Sequence, residues 1–224
     1  MNKLKYIAAV LIAIAGLGLQ QANADIFTSS LNAGNSAISG FTGPFGTVSI
    51  DLTSPTTATV TFTSNTVAGN IYLFGAAQAI DLNVNATTFT VGPVLGTNAG
   101  TGFTPGPLTA HIGSQNVDGL GTFNLTIDSF DGFTHSSDNV SFTLTDVSGT
   151  WASAADVITN NSSGFDAAAH IFVTTSPANA SNSALATGFA GEGPQTNVPD
   201  GGTTVMLLGA ALGALGMARR FIMS

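Results

Sequence analysis

The chain has no cysteine, and from Asp25 to Asn197 it has neither lysine nor arginine. Without a thiol there is no disulfide, no thiolate metal site and no cysteine nucleophile. Without lysine there is no Schiff base and no Ser-Lys dyad, and without arginine no fork for phosphate or carboxylate. A single glutamate in that stretch leaves no way to write an H-E-x-x-H zinc helix, and no G-x-S-x-G elbow occurs. Charge is scarce altogether, 7% of residues against roughly 25% in ordinary soluble domains. The same 173 residues hold ten Asp and one Glu, a formal charge of -11. Such a surface repels polynucleotide phosphate, so nucleic acid is excluded as a partner.

The four basic residues are Lys3, Lys5, Arg219 and Arg220, all at the ends. Residues 1–24 have the form of a signal peptide. Two lysines lead, Tyr6 to Leu19 is apolar apart from two glycines, and Ala22-Asn23-Ala24 supplies a small-x-small cleavage site. Signal peptidase would then cut after Ala24 and leave Asp25 as the mature N-terminus. The apolar run is short for a membrane span of ~20 residues.

At the other end Thr203 to Ala218 is uncharged and mostly apolar, and Arg219-Arg220 closes it. As a helix it would reach ~24 Å, a marginal span of a ~30 Å hydrocarbon core. The positive-inside rule would hold both arginines in the cytoplasm. Gly209 and Gly213 form a G-x-x-x-G face open to another helix, or simply small residues in a marginal span. Just before it stands Val198-Pro199-Asp200-Gly201-Gly202. Proline extends its predecessor, and the paired glycines leave the following peptide accessible, which suits a protease-like groove.

A Val-Pro-Asp motif, an apolar segment and a terminal arginine pair, in that order, resemble the PEP-CTERM sorting signal in its Val-Pro-Asp variant. The likeness covers about the last 27 residues, Val198 to Ser224. It implies an exported protein of a Gram-negative-type bacterium with an extracellular polysaccharide matrix. It further implies transient anchoring in the inner membrane, processing by exosortase near the motif, and release to the cell surface or matrix. FNLTIDSF (Phe123 to Phe130), GFTHSSD (Gly132 to Asp138), GTWAS (Gly149 to Ser153) and GFDAAAHI (Gly164 to Ile171) also resemble passages of PEP-CTERM ectodomains, with no activity attached.

Between the ends the apolar period is two. Val48/Ile50/Leu52, Ala58/Val60/Phe62, Ile80/Leu82/Val84 and Phe89/Val91 alternate with polar residues. So do Leu108/Ala110/Ile112, Phe123/Leu125/Ile127 and Val140/Phe142/Leu144. Each predicts a strand with one buried face, and Ile71 to Phe74 and Ile171 to Val173 read as central strands. Turn signals fall at Ser54-Pro55, Asn98 to Gly102, Gly113 to Gly119 and Asp131-Gly132. About nine strands predict an all-β, single antiparallel β-sandwich of jelly-roll or immunoglobulin-like character, with one hydrophobic helix at each end of the precursor. Trp151 to His170, rich in alanine, is the best internal helical candidate, and Asn160 to Gly164 splits it into two short turns or helices beside the sheet. The domains are then a signal peptide (1–24), the β-sandwich (25–194), a linker with the sorting motif (195–202) and a transmembrane helix with a basic tail (203–224).

The densest polar cluster is Asp128 to Asn139, with Asp131, His135 and Asp138 inside it. Three carboxylates in twelve residues could hold calcium through oxygen ligands, although the spacing is not that of an EF-hand. The same residues also serve as ordinary turn formers. Asp166 and His170 would share a helix face, His111 sits on a predicted strand, and Tyr72 and Trp151 could line a sugar platform. Asn-x-Ser/Thr triplets begin at Asn85, Asn124, Asn139, Asn160, Asn161 and Asn179. The expectation is a non-enzymatic, structural or adhesive surface or matrix protein that needs no cofactor. Two alternatives stand beside it, a calcium-dependent carbohydrate-binding module and a hydrolase of matrix polysaccharide.

Overall fold

The structure, a computed structural model, describes residues 25–192. In chain order its strands are β1 (Asp25–Gly34), β2 (Gly46–Ser54), β3 (Thr57–Ser64), β4 (Thr66–Val67) and β5 (Asn70–Phe74). There follow β6 (Ile80–Leu82), β7 (Phe89–Val91), β8 (Leu95–Thr97) and β9 (Leu108–Val117). The last four are β10 (Gly121–Ser129), β11 (Asn139–Asp146), β12 (Ala167–Thr175) and β13 (Ala186–Glu192). Alternation of threonine with Val, Ile or Phe makes β2, β3 and β11 half-buried by construction, and every strand pairing is antiparallel.

The strands form one sheet that folds over on itself. One arm carries β7 and β8 end to end along β11, then β3, β2 and β1. The other runs from β1 through β13 and β12 to β6, β10 and β9. The turn of the fold is β1 itself. Asp25 to Ser30 pair with β2, whereas Leu31 to Gly34 pair with β13, with a break in register after Leu31. A second link joins the arms, where Phe74 and Ser137 exchange backbone hydrogen bonds of 2.8 and 2.7 Å. The sheet is therefore nearly closed, barrel-like, around a shared core.

Val48, Ile50, Val60, Phe62, Phe142 and Leu144 enter that core from one arm. Tyr72, Phe74, Ile80, Leu82, Leu125 and Ile127 meet them from the other. Each such side chain contributes about 1.5–3 kcal/mol when fully buried. Phe62 and Phe74 meet edge to face at 6.2 Å. Gly46 faces the Phe74 ring so closely that an added Cβ would lie 2.9 Å from it, which is why no larger residue fits.

The all-β, antiparallel expectation holds. The two separate sheets of a sandwich are replaced by one folded sheet, because β1 belongs to both arms. Alternation did not mark β1, since its buried face carries Ser29 between Phe27 and Leu31 while Ile26 on the other face is exposed. Of the turn expected over Gly113 to Gly119 only the end forms, at Asp118 to Leu120, because β9 continues to Val117 with a bulge opposite Phe123/Leu125. That bulge sends Phe123 into a separate cluster with Val117, Leu120 and Ala168. Of the two short turns or helices expected over Trp151 to His170, only the first forms. A single 3-10 turn spans Ala154–Val157, and the alanines of β12 lie in the sheet, where only small side chains fit on both faces. Among the described residues no helix is long and apolar enough to cross a membrane. The hydrophobic helices expected at the two ends fall on residues outside those described.

Candidate functional site

The signal-cleavage residues Ala22 and Ala24, the motif Val198, Pro199, Asp200, Gly201 and Gly202, and Arg219 and Arg220 all lie outside the described residues. What the structure supplies is the two ends of the body they flank. Asp25 pairs with Leu52, and its carboxylate accepts the Ala154 N–H at 2.6 Å, tying the chain start to the 3-10 turn. At the other end β13 is paired on both sides, with β12 up to Gly191 and with β1 up to Glu192.

The acidic cluster expected around Asp128 is dispersed by the fold. Asp128 accepts the Gln78 N–H at 2.7 Å and lies 3.3 Å from His111 Nε2. Asp138 instead accepts the Ala99 N–H at 2.6 Å and the Thr97 hydroxyl at 3.4 Å. Asp131 is exposed in the intervening turn, and His135 points Nδ1 at the carbonyls of Thr104 and Gly106. Among the described residues no three His, Asp or Glu side chains converge as a metal site would require. Asp128 has a local task. β5 and β6 lie end to end along β12, and the five residues between them loop out, with Ala76 and Gln78 in the left-handed region at φ 61° and 57°. The Asp128 carboxylate and His170 Nδ1, bonded to the Ala77 carbonyl at 3.0 Å, pin that loop.

His170 itself lies on β12 between the rings of Phe172 and Phe189, at 5.5 and 4.5 Å. Burial holds its pKa below the ordinary imidazole value, so it is neutral at pH 7. Asp166 and His170 share no helix. Tyr72 and Trp151 form no sugar platform either, because both are buried. Tyr72 donates to the Thr42 carbonyl at 2.6 Å and Trp151 to the Asn85 carbonyl at 2.9 Å.

A polar cleft lies apart from every calcium candidate named above. Its floor is the segment 83–88 between β6 and β7. Asn124 of β10 holds that floor by two bonds to Val84, accepting its N–H at 2.7 Å and donating to its carbonyl at 2.8 Å. Asn83 and Asn85 donate to the carbonyls of Thr159 and Asp156, each at 2.9 Å. On the far wall Asp146 Oδ1 accepts from Ser148 N, Ser148 Oγ and Gly149 N, fixing the turn after β11. The cleft measures about 460 Å³ and opens to solvent. A neighbouring hollow of about 240 Å³ shares Asn83, Ala86, Thr87 and Asn124 with it and adds exposed Ile112.

Three further carboxyls are buried where a charge is costly. Asp81 alternates with Ile80 and Leu82 yet is fully buried, because Ala168 beside it packs under Val117 and Leu120. Burial raises its pKa to about 8, aided by the Asp128 charge and opposed by the 2.6 Å bond from Thr126 Oγ1. Glu192 is raised as well, chiefly by burial and then by neighbouring Asp166, to which its neutral form donates a hydrogen bond. Alternation alone could not reveal Asp81, whose polar face is covered by residues from a distant hairpin. Asn83-Val84-Asn85 was a readable signal, two amides in strand phase just past β6.

Set against known proteins, residues 197–221 match the family model described as the VPDSG-CTERM motif. Gly201 stands where the motif's name has serine. No curated protein and no solved structure matches the chain. The chain thus carries, at its C-terminus, a sorting signal of the PEP-CTERM kind.

Proposed function

We propose that this is an exported, non-catalytic surface or matrix protein, with a structural or adhesive role. It is carried out by its signal peptide, held briefly in the inner membrane by the segment 203–224, and cut by exosortase near Val198-Pro199-Asp200. The observation that carries the reading is the sorting motif at residues 197–221. The body is suited to losing both labels. Its first strand starts at Asp25, and β13 is bonded on both sides before the matched segment begins. Support for a non-catalytic role comes from how its polar groups are used. Asp25, Asp128, Asp138 and Asp146 each accept backbone N–H groups, and His135 and His170 are bonded to carbonyls. These are structural uses of the groups that an acid–base mechanism would need.

Intact mass spectrometry of material shed from the surface tests the reading. The expected species starts at Asp25 and lacks Met206 to Ser224. A surface chain that retains Met206 to Ser224 refutes the processing step.

A further inference from the structure

We infer that the cleft over residues 83–88 binds an uncharged oligosaccharide chain without calcium. The inference goes beyond the sorting reading, which stands or fails on the mass of the surface chain alone.

The first argument is preorganisation. A connection between two short strands is held here by Asn124, Asn83, Asn85 and Trp151, through bonds of 2.7–2.9 Å. A floor so fixed loses little conformational freedom when a ligand settles on it. The second is the set of polar atoms left over. Among the described residues, Oδ1 of Asn83 and Asn85 and Oδ2 of Asp146 accept no hydrogen bond. The hydroxyls of Thr87, Thr150 and Thr159 line the same cleft without a partner there. Free acceptor sites therefore outnumber the free donors, which are the three threonine hydroxyls, and a ligand rich in hydroxyl donors answers them.

Charge and shape narrow the class. The lining has one carboxylate and no cation, in a domain that has no Lys or Arg from Asp25 to Asn197. An anionic ligand such as a uronate polymer would meet repulsion with nothing to offset it. The cleft is an open trough continuing into its neighbour, beside exposed Ile112, which provides apolar contact for a sugar C–H face. A chain can lie along such a trough, and the volumes suit a few sugar residues.

The test uses the mature secreted chain and isothermal titration with gluco-, manno- and galacto-configured neutral hexasaccharides and a hexauronate. At least one neutral hexasaccharide should bind, about ten-fold or more tightly than the hexauronate, and EDTA should leave binding unchanged. Thr87→Trp, which fills the trough from an exposed position, should weaken binding about ten-fold or more, the equivalent of ~1.4 kcal/mol. Thr150→Ala should weaken it less, and Asn182→Trp, on a distant loop, not at all. An unchanged melting temperature shows that the variants fold. Binding of no neutral hexasaccharide, equal binding of the hexauronate, loss with EDTA, or indifference to Thr87→Trp overturns the inference.

Discussion

Replacing Asp81 by asparagine should make this protein more stable at neutral pH and remove part of its dependence on pH. Asp81 is fully buried, its pKa is raised to about 8 from an ordinary 3.8, and the folded chain holds its proton at pH 7. The unfolded chain does not. The folded state therefore binds more protons between those two values. The contribution is fully present below about pH 4 and is lost as pH rises through about 8. The slope is at most ~1.4 kcal/mol per pH unit, which reaches about 4 kcal/mol at pH 7 as an upper bound. Asparagine keeps an Oδ1 for the 2.6 Å bond from Thr126 but buries an amide with no partner at the Oδ2 position, a cost of about 1–3 kcal/mol. The two effects cross. Asp81→Asn should be less stable than the parent at pH 4 and more stable by about 1–3 kcal/mol at pH 7. Urea unfolding of the mature chain from pH 4 to 8 reads both the crossing and the slope. A difference between the two proteins that stays constant over that range refutes the argument, since it would mean Asp81 carries the same charge folded and unfolded.

Asn124→Ala removes both bonds to Val84 and should cost about 1–3 kcal/mol in urea unfolding, with faster amide exchange across residues 83–88. A loss confined to global stability, with exchange in that segment unchanged, would show that Asn124 does not fix the cleft. EDTA should leave the melting temperature of the mature chain unchanged, because Asp128 and Asp138 are occupied by N–H groups of different loops. A drop reversed by calcium would show that an ion, and not the backbone, satisfies these acids.

Much of the fold was legible because most strands keep one face buried along their whole length. β2, β3 and β11 alternate without exception, and threonine fills the wet positions as a pleated surface favours. The failures have a common physical origin. Ser29 interrupts the apolar face of β1, β9 contains a bulge, and β12 is buried on both faces, so none offers a constant apolar period. The alanines of β12 imitate a helix because small size, not helix propensity, is what a doubly covered strand selects. At the candidate sites, local density misled. Asp128 and Asp138 are ten residues apart in sequence, but each serves the loop that tertiary pairing brings to it. Asn83 and Asn124, far apart in sequence, meet at the segment 83–88, and only the pairing of β6 with β10 brings them there.

The charge of the interior is where sequence and structure diverge most usefully. Counting carboxylates gives -11 for Asp25 to Asn197, and with no internal cation each must be satisfied by backbone, water or ion. The structure adds a fourth answer, which is to keep the proton. Asp81, with its pKa near 8, and Glu192, raised by burial beside Asp166, are neutral at pH 7 and contribute no repulsion there. Both sit on strands of one arm, β6 and β13, where a charge would be buried in the sheet. An increase in pH thus acts on the molecule twice, by charging its interior and by raising its net repulsion. Stability should therefore fall towards alkaline pH more steeply than the exposed carboxylates, already ionised at pH 7, would account for.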